Sequence, residues 1–318
     1  MVIKKIFEIE KKPQKGLMIF EWVVMGYALV TLLFIFFTYT KSVHPEAMIF
    51  ARVRLVALTL AMWLVYRFLP CRFTKLARVA LQLILLAEWY PDTYELNRVL
   101  PNLDHVFASA EQSLMGFQPA LVFHQAMPWP WFSELMDMSY VSYYPLMALV
   151  ILFYFFYRYN DFEKASVVLV SSFFIYYLIF DFIPVTGPQF YYKVAGLDNI
   201  AHGIFPNVHD YFYSHQDVLV SPGWKDGFFY DLVTDAHKAG ERPTAAFPSS
   251  HVGVTMIVAL LAWHSKNRKL FFTVLPFLIL MCFSTVYIQA HYAIDVFAGL
   301  ITGIIMYAAL IRVKIKAK

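Results

Sequence analysis

Residues 268–312, RKLFFTVLPFLILMCFSTVYIQAHYAIDVFAGLITGIIMYAALIR, contain two long apolar runs that are separated only by Gln289, Ala290 and His291. Each run is long enough to cross a hydrocarbon layer of about 30 Å as a helix. A backbone in contact with lipid must satisfy its own hydrogen bonds, so a helix is the conformation we expect. The stretch therefore predicts two membrane-spanning helices joined by a turn that carries a histidine.

The composition of the whole chain agrees with a membrane protein. Of its 318 residues, 60% are hydrophobic and only 15% are charged, whereas soluble domains are about 25% charged. These values exclude a soluble globular domain, a disordered chain and a nucleic-acid-binding module. The chain has two cysteines, too few for a disulfide framework or a cysteine-based zinc site.

Eight apolar runs occur along the chain, and we expect each to form a helix. They cover residues 18–39, 51–69, 75–90, 139–157, 164–184, 249–264, 270–288 and 292–312. We therefore predict an all-α fold, a polytopic transmembrane helical bundle of about eight spans. The first run is too long for a signal peptide and no small-residue cleavage site follows it, so we expect it to be retained as a helix.

The distribution of lysine and arginine predicts how this bundle is oriented. With eight spans and a cytoplasmic N-terminus, 18 basic residues fall on the cytoplasmic side and 8 on the outer side. The cytoplasmic set includes Lys4, Lys5, Lys316 and Lys318 near the two ends of the chain. If residues 75–90 do not cross the membrane, every later segment changes side, and 14 basic residues fall on the cytoplasmic side and 12 on the outer side. The positive-inside rule therefore favours eight spans with both termini in the cytoplasm.

Two long segments do not fit as spans. Residues 91–138 mix prolines, acidic residues and tryptophans, which is typical of an interfacial stretch with Trp129 and Trp131 at the level of the lipid headgroups. Residues 185–248 are polar and too long for a simple connector. We divide the chain into N-terminal membrane helices with the interfacial segment, residues 1–138, and a helical core, residues 139–318, which carries the polar motifs.

Polar residues gather where the last three apolar runs meet the outer membrane edge. The sixth run begins with FPSSH at 247–251, shortly after Arg242, and the eighth begins at His291 and Asp295. Residues four apart share a face of a helix, so the carboxylate can accept a hydrogen bond from one imidazole nitrogen. The serines of FPSSH suit the N-terminus of a helix, whose free N–H groups can bind phosphate. Two histidines, a carboxylate and an arginine supply what phosphoryl transfer without a metal requires.

These residues resemble the signature of the type 2 phosphatidic acid phosphatase superfamily, which is Lys-x6-Arg-Pro, then Pro-Ser-Gly-His, then Ser-Arg-x5-His-x3-Asp. FPSSH at 247–251 with STVYIQAHYAID at 284–295 is most similar to the inositol phosphorylceramide synthase branch, and so is PVTGPQ at 184–189. The resemblance covers residues 180–300. It is specific, because paired motifs occur in the correct order and on the same predicted side of the membrane.

The resemblance implies that the 139–318 core is catalytic and uses a histidine mechanism. His291 would attack the phosphorus atom and form a phosphohistidine, and Asp295 would orient His291 and stabilise its charge. His251 would protonate the leaving oxygen and then activate the acceptor. The residues that the pattern offers for binding the substrate phosphate are Arg242, Lys238, Ser249, Ser250 and Gln189.

The chain also departs from the superfamily pattern. Thr285 stands at the arginine of the third motif, Ser250 at the glycine of the second, and Asp235 at the lysine of the first. Loss of the third-motif arginine is similar to the sphingolipid phosphotransferases. We therefore predict an integral-membrane lipid phosphotransferase that moves a phosphorylated headgroup, such as phosphoinositol, to a ceramide-like acceptor. The alternative is a lipid phosphate phosphatase that acts on phosphatidic acid, a polyprenyl pyrophosphate or lipid A and uses water as the acceptor.

A membrane transporter is a more remote hypothesis. It predicts ionisable groups near the midplane and repeated halves, whereas here the ionisable motif residues gather at one edge and no repeat is visible. The expected partners are a membrane phospholipid donor and a lipid or water acceptor, with no nucleic acid; the sequence does not indicate an oligomeric state. We expect a bacterial inner membrane with the active site facing the periplasm. We expect no cofactor and no metal, because no ligand spacing occurs among the loop histidines His202, His209, His215 and His237.

Overall fold

The computed structural model describes residues 6–315. Lys4, Lys5, Lys316 and Lys318, which entered the charge comparison, lie outside the described residues. Between residues 6 and 315 the chain is helical and contains no strand, apart from one isolated bridge between Ile9 and Cys71. The predicted all-α class is confirmed.

The α-helices are numbered here in chain order. They are α1 (Ile19–Phe37), α2 (Pro45–Phe68), α3 (Arg72–Asn97), α4 (Asp104–Met115), α5 (Pro119–Ala126), α6 (Pro130–Val141), α7 (Tyr143–Tyr157), α8 (Tyr159–Phe182), α9 (Pro188–Ala195), α10 (Leu197–Ala201), α11 (Phe228–Gly240), α12 (Ser250–His264), α13 (Arg268–Tyr287) and α14 (Ala293–Leu310). A single 3-10 turn lies at Tyr211–Tyr213.

Seven of the eight apolar runs each coincide with one of these helices, and the run at 139–157 covers the end of α6 and the whole of α7. Five helices, α1, α2, α8, α13 and α14, are individually long and apolar enough to cross a membrane. The consecutive helices α6 and α7 qualify together as a sixth candidate, with a bend of 47° between them. Several apolar helices of this kind fit an integral membrane protein. The count of eight spans and the cytoplasmic termini stay predictions.

Helix α12 lies at the centre of the C-terminal bundle and packs against α7, α8, α13 and α14. Its contact with α14 is especially close. A Cβ atom added to Gly303 on α14 would lie 2.5 Å from the carbonyl oxygen of Gly253 on α12. Small residues permit such an approach between membrane helices. The beginnings of the two helices, where His251 and His291 are found, are therefore held near each other.

The N-terminal helices α1, α2 and α3 pack together, and α1 and α3 both contact α8. Buried ion pairs connect them: Arg52 on α2 bonds Asp92 on α3 at 2.7 Å, and Arg78 on α3 bonds Glu21 on α1. A charged side chain that is removed from solvent requires an oppositely charged partner of this kind. The proposed division at residue 138 stays a prediction.

The two segments that were not interpreted as spans form short helices. Residues 91–138 include the end of α3 and the helices α4, α5 and α6, while residues 185–248 include α9, α10 and α11. Trp129 and Trp131 are exposed and stacked, with ring centroids 6.2 Å apart. Helix α4 contacts α14, and α11 contacts α6, so both segments cover the end of the bundle at which α12 and α14 begin.

Candidate active site

The helix that carries His251 begins as the sequence predicts. Ser249 is the N-cap of α12, and its Oγ accepts a hydrogen bond from the Val252 N–H at 3.4 Å. The Ser249 N–H donates to the backbone carbonyl of Asp295 at 3.0 Å. This bond joins the first turn of α12 to the first turn of α14. The remaining first-turn N–H groups of α12 have no partner within the helix, as at any helix start.

His291 lies in the turn between α13 and α14. Its Nδ1 is 2.8 Å from the carbonyl oxygen of Ala246, which can only accept a hydrogen bond, so Nδ1 carries the proton. Its Nε2 is 3.5 Å from Nδ1 of His251. The backbone N–H of His291 donates to the carbonyl of Thr285 at 3.1 Å, which fixes the turn from the other side.

Burial lowers the pKa of His291 to about 4, although the hydrogen bond to Ala246 and the charge of Glu241 act in the opposite direction. At neutral pH the ring is therefore uncharged. With the proton on Nδ1, the lone pair of Nε2 is available towards His251. An uncharged imidazole with a free Nε2 is the form that can act as a nucleophile.

The predicted hydrogen bond between His291 and Asp295 is wrong in its detail. His291 precedes α14 rather than lying on it, and its Nδ1 is 3.7 Å from Asp295 Oδ2. Asp295 instead accepts from the Tyr292 N–H at 2.8 Å. The carboxylate therefore caps the helix and lies close to the imidazole, while Ala246 is the hydrogen-bond acceptor that selects the tautomer.

Two acidic residues of α4 hold the same turn and were not anticipated from the sequence. The buried carboxylate of Asp104 accepts hydrogen bonds from the N–H groups of Thr186 and Gly187, at 2.7 and 2.9 Å, and from the Tyr292 hydroxyl at 3.0 Å. Glu111 accepts from the Ala293 N–H at 2.5 Å. Through these bonds α4 ties the PVTGPQ turn at 184–189 to the residues that follow His291.

A cavity of about 340 Å³ opens beside His251. The imidazole of His251 stacks on Tyr140, with a centroid distance of 4.6 Å, and contacts the tilted ring of Tyr143 at 4.5 Å. The wall contains no lysine or arginine; its acidic member is Glu241. The cavity is lined by Ala87, Tyr90, Pro91, Tyr140, Tyr143, Tyr144, Phe173, Tyr177, Ala236, His237, Ala239, Gly240, Glu241, Ser250 and His251. Such a wall suits a neutral group with hydroxyls.

The structure brings some of the predicted phosphate ligands to the histidines and leaves others apart. Ser249 and Ser250 lie at the start of α12, and Ser250 lines the cavity. The Gln189 amide donates to Glu241 at 3.0 Å, so it lies at the acidic edge of the site. Arg242 donates to the Glu241 carbonyl at 2.7 Å and does not line the cavity. Lys238 is exposed on α11, 3.5 Å from Asp235, and does not line it either.

The fold and the site define a class of protein: a helical membrane protein in which a histidine pair, the buried His291 and the partly exposed His251, lies at one end of the bundle. A family model of the PAP2 superfamily matches residues 105–309, more than half of the chain. The chain belongs to the PAP2 superfamily, whose members are generally phosphatase-type enzymes. Membership indicates a phosphatase- or phosphotransferase-type lipid enzyme. No curated protein and no solved structure is a significant match to the chain.

Proposed function

We propose that the protein is a lipid phosphotransferase in which His291 forms a phosphohistidine and His251 moves the protons. The observation that carries the proposal is the histidine pair: Nε2 of His291 lies 3.5 Å from His251, and Nδ1 of His291 is held by the Ala246 carbonyl. One imidazole is thereby oriented as a nucleophile, and the other is placed to serve the leaving and entering oxygens.

The reaction has two displacement steps. In the first, Nε2 of His291 attacks the phosphorus atom, the bond to the leaving oxygen breaks, and His251, which starts this step as the imidazolium, gives that oxygen its proton and becomes neutral. In the second, His251 removes a proton from the acceptor hydroxyl, whose oxygen attacks phosphorus and releases His291. The free N–H groups at the start of α12 are available for the phosphate oxygens.

The cavity beside His251 favours a hydroxyl-bearing acceptor over water. Its tyrosine-rich wall carries one carboxylate and no lysine or arginine, and a pocket of that chemistry suits a neutral polar group. We therefore propose transfer of a phosphorylated headgroup, such as phosphoinositol, to a ceramide-like lipid. We also propose that this end of the bundle faces the periplasm of a bacterial inner membrane, on the basis of the basic residues predicted at the other end.

The test uses purified protein with phosphatidylinositol that carries a labelled phosphate, in the presence and absence of ceramide. We expect a labelled phosphosphingolipid only when ceramide is present, and an acid-labile, alkali-stable label on the protein before ceramide is added. His291→Ala should abolish both signals, whereas His209→Ala, a change in an exposed loop, should leave them unchanged. Release of soluble inositol phosphate without a sphingolipid product would overturn transfer to a lipid, and release of inorganic phosphate from labelled phosphatidic acid offered in a parallel assay would establish the phosphatase alternative.

A further inference from the structure

A second cavity lies at the opposite end of the bundle from the histidine pair. Its volume is about 670 Å³, and its walls come from residues 12–17, the first turn of α1, the first turns of α8 and the chain after α14. Helix α8 runs from this cavity, at Glu163, to the PVTGPQ turn beside the active site, a length of ~30 Å for about 20 residues. The cavity is therefore separate from the catalytic end.

The charge of this second cavity is positive. Lys12, Lys15 and Lys314 line it, and none of them forms an ion pair with another residue in the range 6–315. The carboxylate in its wall, Glu163, is bound to Lys75 at 2.6 Å. The acidic group is thus neutralised by a residue outside the wall, and the three ammonium groups have no ion-pair partner among residues 6–315.

The walls of the cavity are held in place by bonds to the bundle. The indole N–H of Trp63 donates to the Lys15 carbonyl at 3.2 Å, and the Gln14 N–H donates to the Tyr66 hydroxyl at 3.3 Å. On the other side, the Lys164 ammonium donates to the Val313 carbonyl. These contacts fix the segments that present the lysines, so the cavity is a formed site and not a set of free tails.

One side of the cavity is apolar and lies at the start of a candidate membrane span. Leu17, Ile19 and Trp22 belong to the wall, and Trp22 is 63% exposed. An exposed tryptophan in the first turn of a spanning helix is typical of the headgroup level of a bilayer. The cavity therefore combines an apolar side that meets acyl chains with three cations that meet a phosphate.

We propose that this cavity binds the phosphate headgroup of an anionic membrane phospholipid, with the ammonium groups of Lys12, Lys15 and Lys314 on the phosphate and Trp22 against the upper acyl chain. The occupant is a lipid of the surrounding leaflet and not a substrate, because the histidine pair is at the other end. Near an anionic lipid surface each lysine contributes roughly fivefold to binding.

The test measures lipid retention by native mass spectrometry on the purified full-length protein. Phosphatidylglycerol and phosphatidylcholine are offered separately, and inorganic phosphate is offered as a competitor. We expect phosphatidylglycerol to be retained over phosphatidylcholine, and inorganic phosphate not to displace it. The triple variant Lys12→Gln, Lys15→Gln, Lys314→Gln should weaken this retention on the order of a hundredfold. The corresponding arginine variant should retain the lipid.

The matched control removes three cations from the same end of the bundle but outside this cavity: Lys266→Gln, Arg268→Gln, Lys269→Gln. Thermal unfolding in neutral detergent shows whether each variant is folded. If the glutamine variant does not fold, lipid retention is compared between the arginine variant and the unchanged protein. Equal retention of the two lipids, an equal loss in the control variant, or displacement by inorganic phosphate alone would overturn the proposal.

Discussion

The tautomer of His291 decides which nitrogen can attack, and it is set by a single backbone carbonyl. Because the Ala246 oxygen holds the proton on Nδ1, the nitrogen that would attack in the proposed mechanism is Nε2, on the side of His251. A carboxylate in the same position would stabilise the charged ring, whereas a carbonyl in a buried site does so less strongly. The site therefore keeps the His291 imidazole neutral and fixes its orientation.

We predict that His291 remains uncharged well below the usual titration range of histidine. Burial lowers its pKa to about 4, so the imidazole should stay neutral, with the proton on Nδ1, at pH 5.5–7. ¹⁵N-histidine NMR of the protein in detergent measures both properties, and the spectrum of His291→Gln assigns the signal. A charged ring at pH 6, or a proton on Nε2, would contradict the prediction.

The lowered pKa of His291 also makes the stability of the folded protein depend on pH. In the unfolded chain the His291 imidazole binds a proton near pH 6.5, and in the folded chain only near pH 4. The unfolded state therefore binds more protons between these values, and the contribution of His291 to the free energy of unfolding falls as the pH is lowered through that interval. Above pH 6.5 this contribution is fully present.

Asp104 is a positioning residue, and its loss should affect both stability and turnover. Asp104→Asn replaces one acceptor oxygen by an N–H₂ group, which would face donors from Thr186, Gly187 or Tyr292. Each buried donor left unsatisfied costs about 1–3 kcal/mol. We expect a lower melting temperature and a fall in kcat with a smaller change in KM. Asp198→Asn, at an exposed acidic residue on α10, is the control and should change neither.

At the residue scale, the sequence predicts the members of the site better than their contacts. The paired motifs bring His251 and His291 together as expected. Asp295 accepts a different hydrogen bond from the one expected, because the helix begins two residues after His291 and the carboxylate accepts from the free N–H of Tyr292. No local pattern in residues 91–138 shows that Asp104 and Glu111 will meet the far end of the chain, since those contacts depend on tertiary packing.

At the scale of helices, the apolar runs indicate where helices lie but not where they bend or how closely they pack. The run at 139–157 begins before Ser142, where the chain bends between α6 and α7. The polar segments at 91–138 and 185–248 contain short helices. Their apolar faces are too short to give a recognisable helical periodicity in the sequence. The sequence does not show that Gly253 and Gly303, which lie on separate helices, permit a close contact, because this is visible only when the two helices are packed against each other.

We predict that the separation between α12 and α14 controls the distance between the two histidines. In Gly303→Ala the new Cβ would meet backbone atoms of Gly253 at 2.5 and 3.1 Å, so the helices must move apart. Overpacking of this kind typically costs about 1–3 kcal/mol, and we expect a lower melting temperature together with reduced kcat. Thermal unfolding and a steady-state assay measure the two effects.

The control for Gly303→Ala is the same substitution at a glycine outside this interface, Gly26→Ala on α1. A Cβ at Gly26 meets nothing within 4 Å, and alanine favours a helix over glycine by about 1 kcal/mol. Gly26→Ala should therefore leave activity unchanged and should not lower the melting temperature. If Gly303→Ala behaved in the same way as Gly26→Ala, the close contact of α12 with α14 would not be what sets the histidine spacing.

For the whole molecule, the N-terminal helices contact the end of the bundle that carries the histidine pair. Asn97, at the end of α3, donates to the Thr244 hydroxyl at 2.6 Å and to the Phe180 carbonyl at 3.0 Å. Thr244 precedes Ala246, whose carbonyl holds His291. The family match begins at residue 105, so α1–α3 lie outside it, although α3 contacts the loop whose Ala246 carbonyl holds His291.

The eight-span arrangement makes a prediction about the whole molecule that cysteine accessibility can test. With eight spans, the α12–α13 connection at Lys266 is cytoplasmic, and the segment before α11 at Lys225 is on the outer side. In a background in which Cys71 and Cys282 are replaced by serine, Lys225→Cys should react with a membrane-impermeant maleimide in intact cells. Lys266→Cys should react only after the membrane is permeabilised.

The number of spans before these positions decides the outcome. Helix α3 contains the buried charges Lys75 and Arg78 and is not among the helices that qualify as spans by hydropathy alone. Both charges are neutralised by ion pairs, Lys75 with Glu163 and Arg78 with Glu21, which removes much of the cost of placing them at the membrane edge. If α3 did not cross, Lys225→Cys and Lys266→Cys would exchange their labelling behaviour, and the histidine pair would face the cytoplasm.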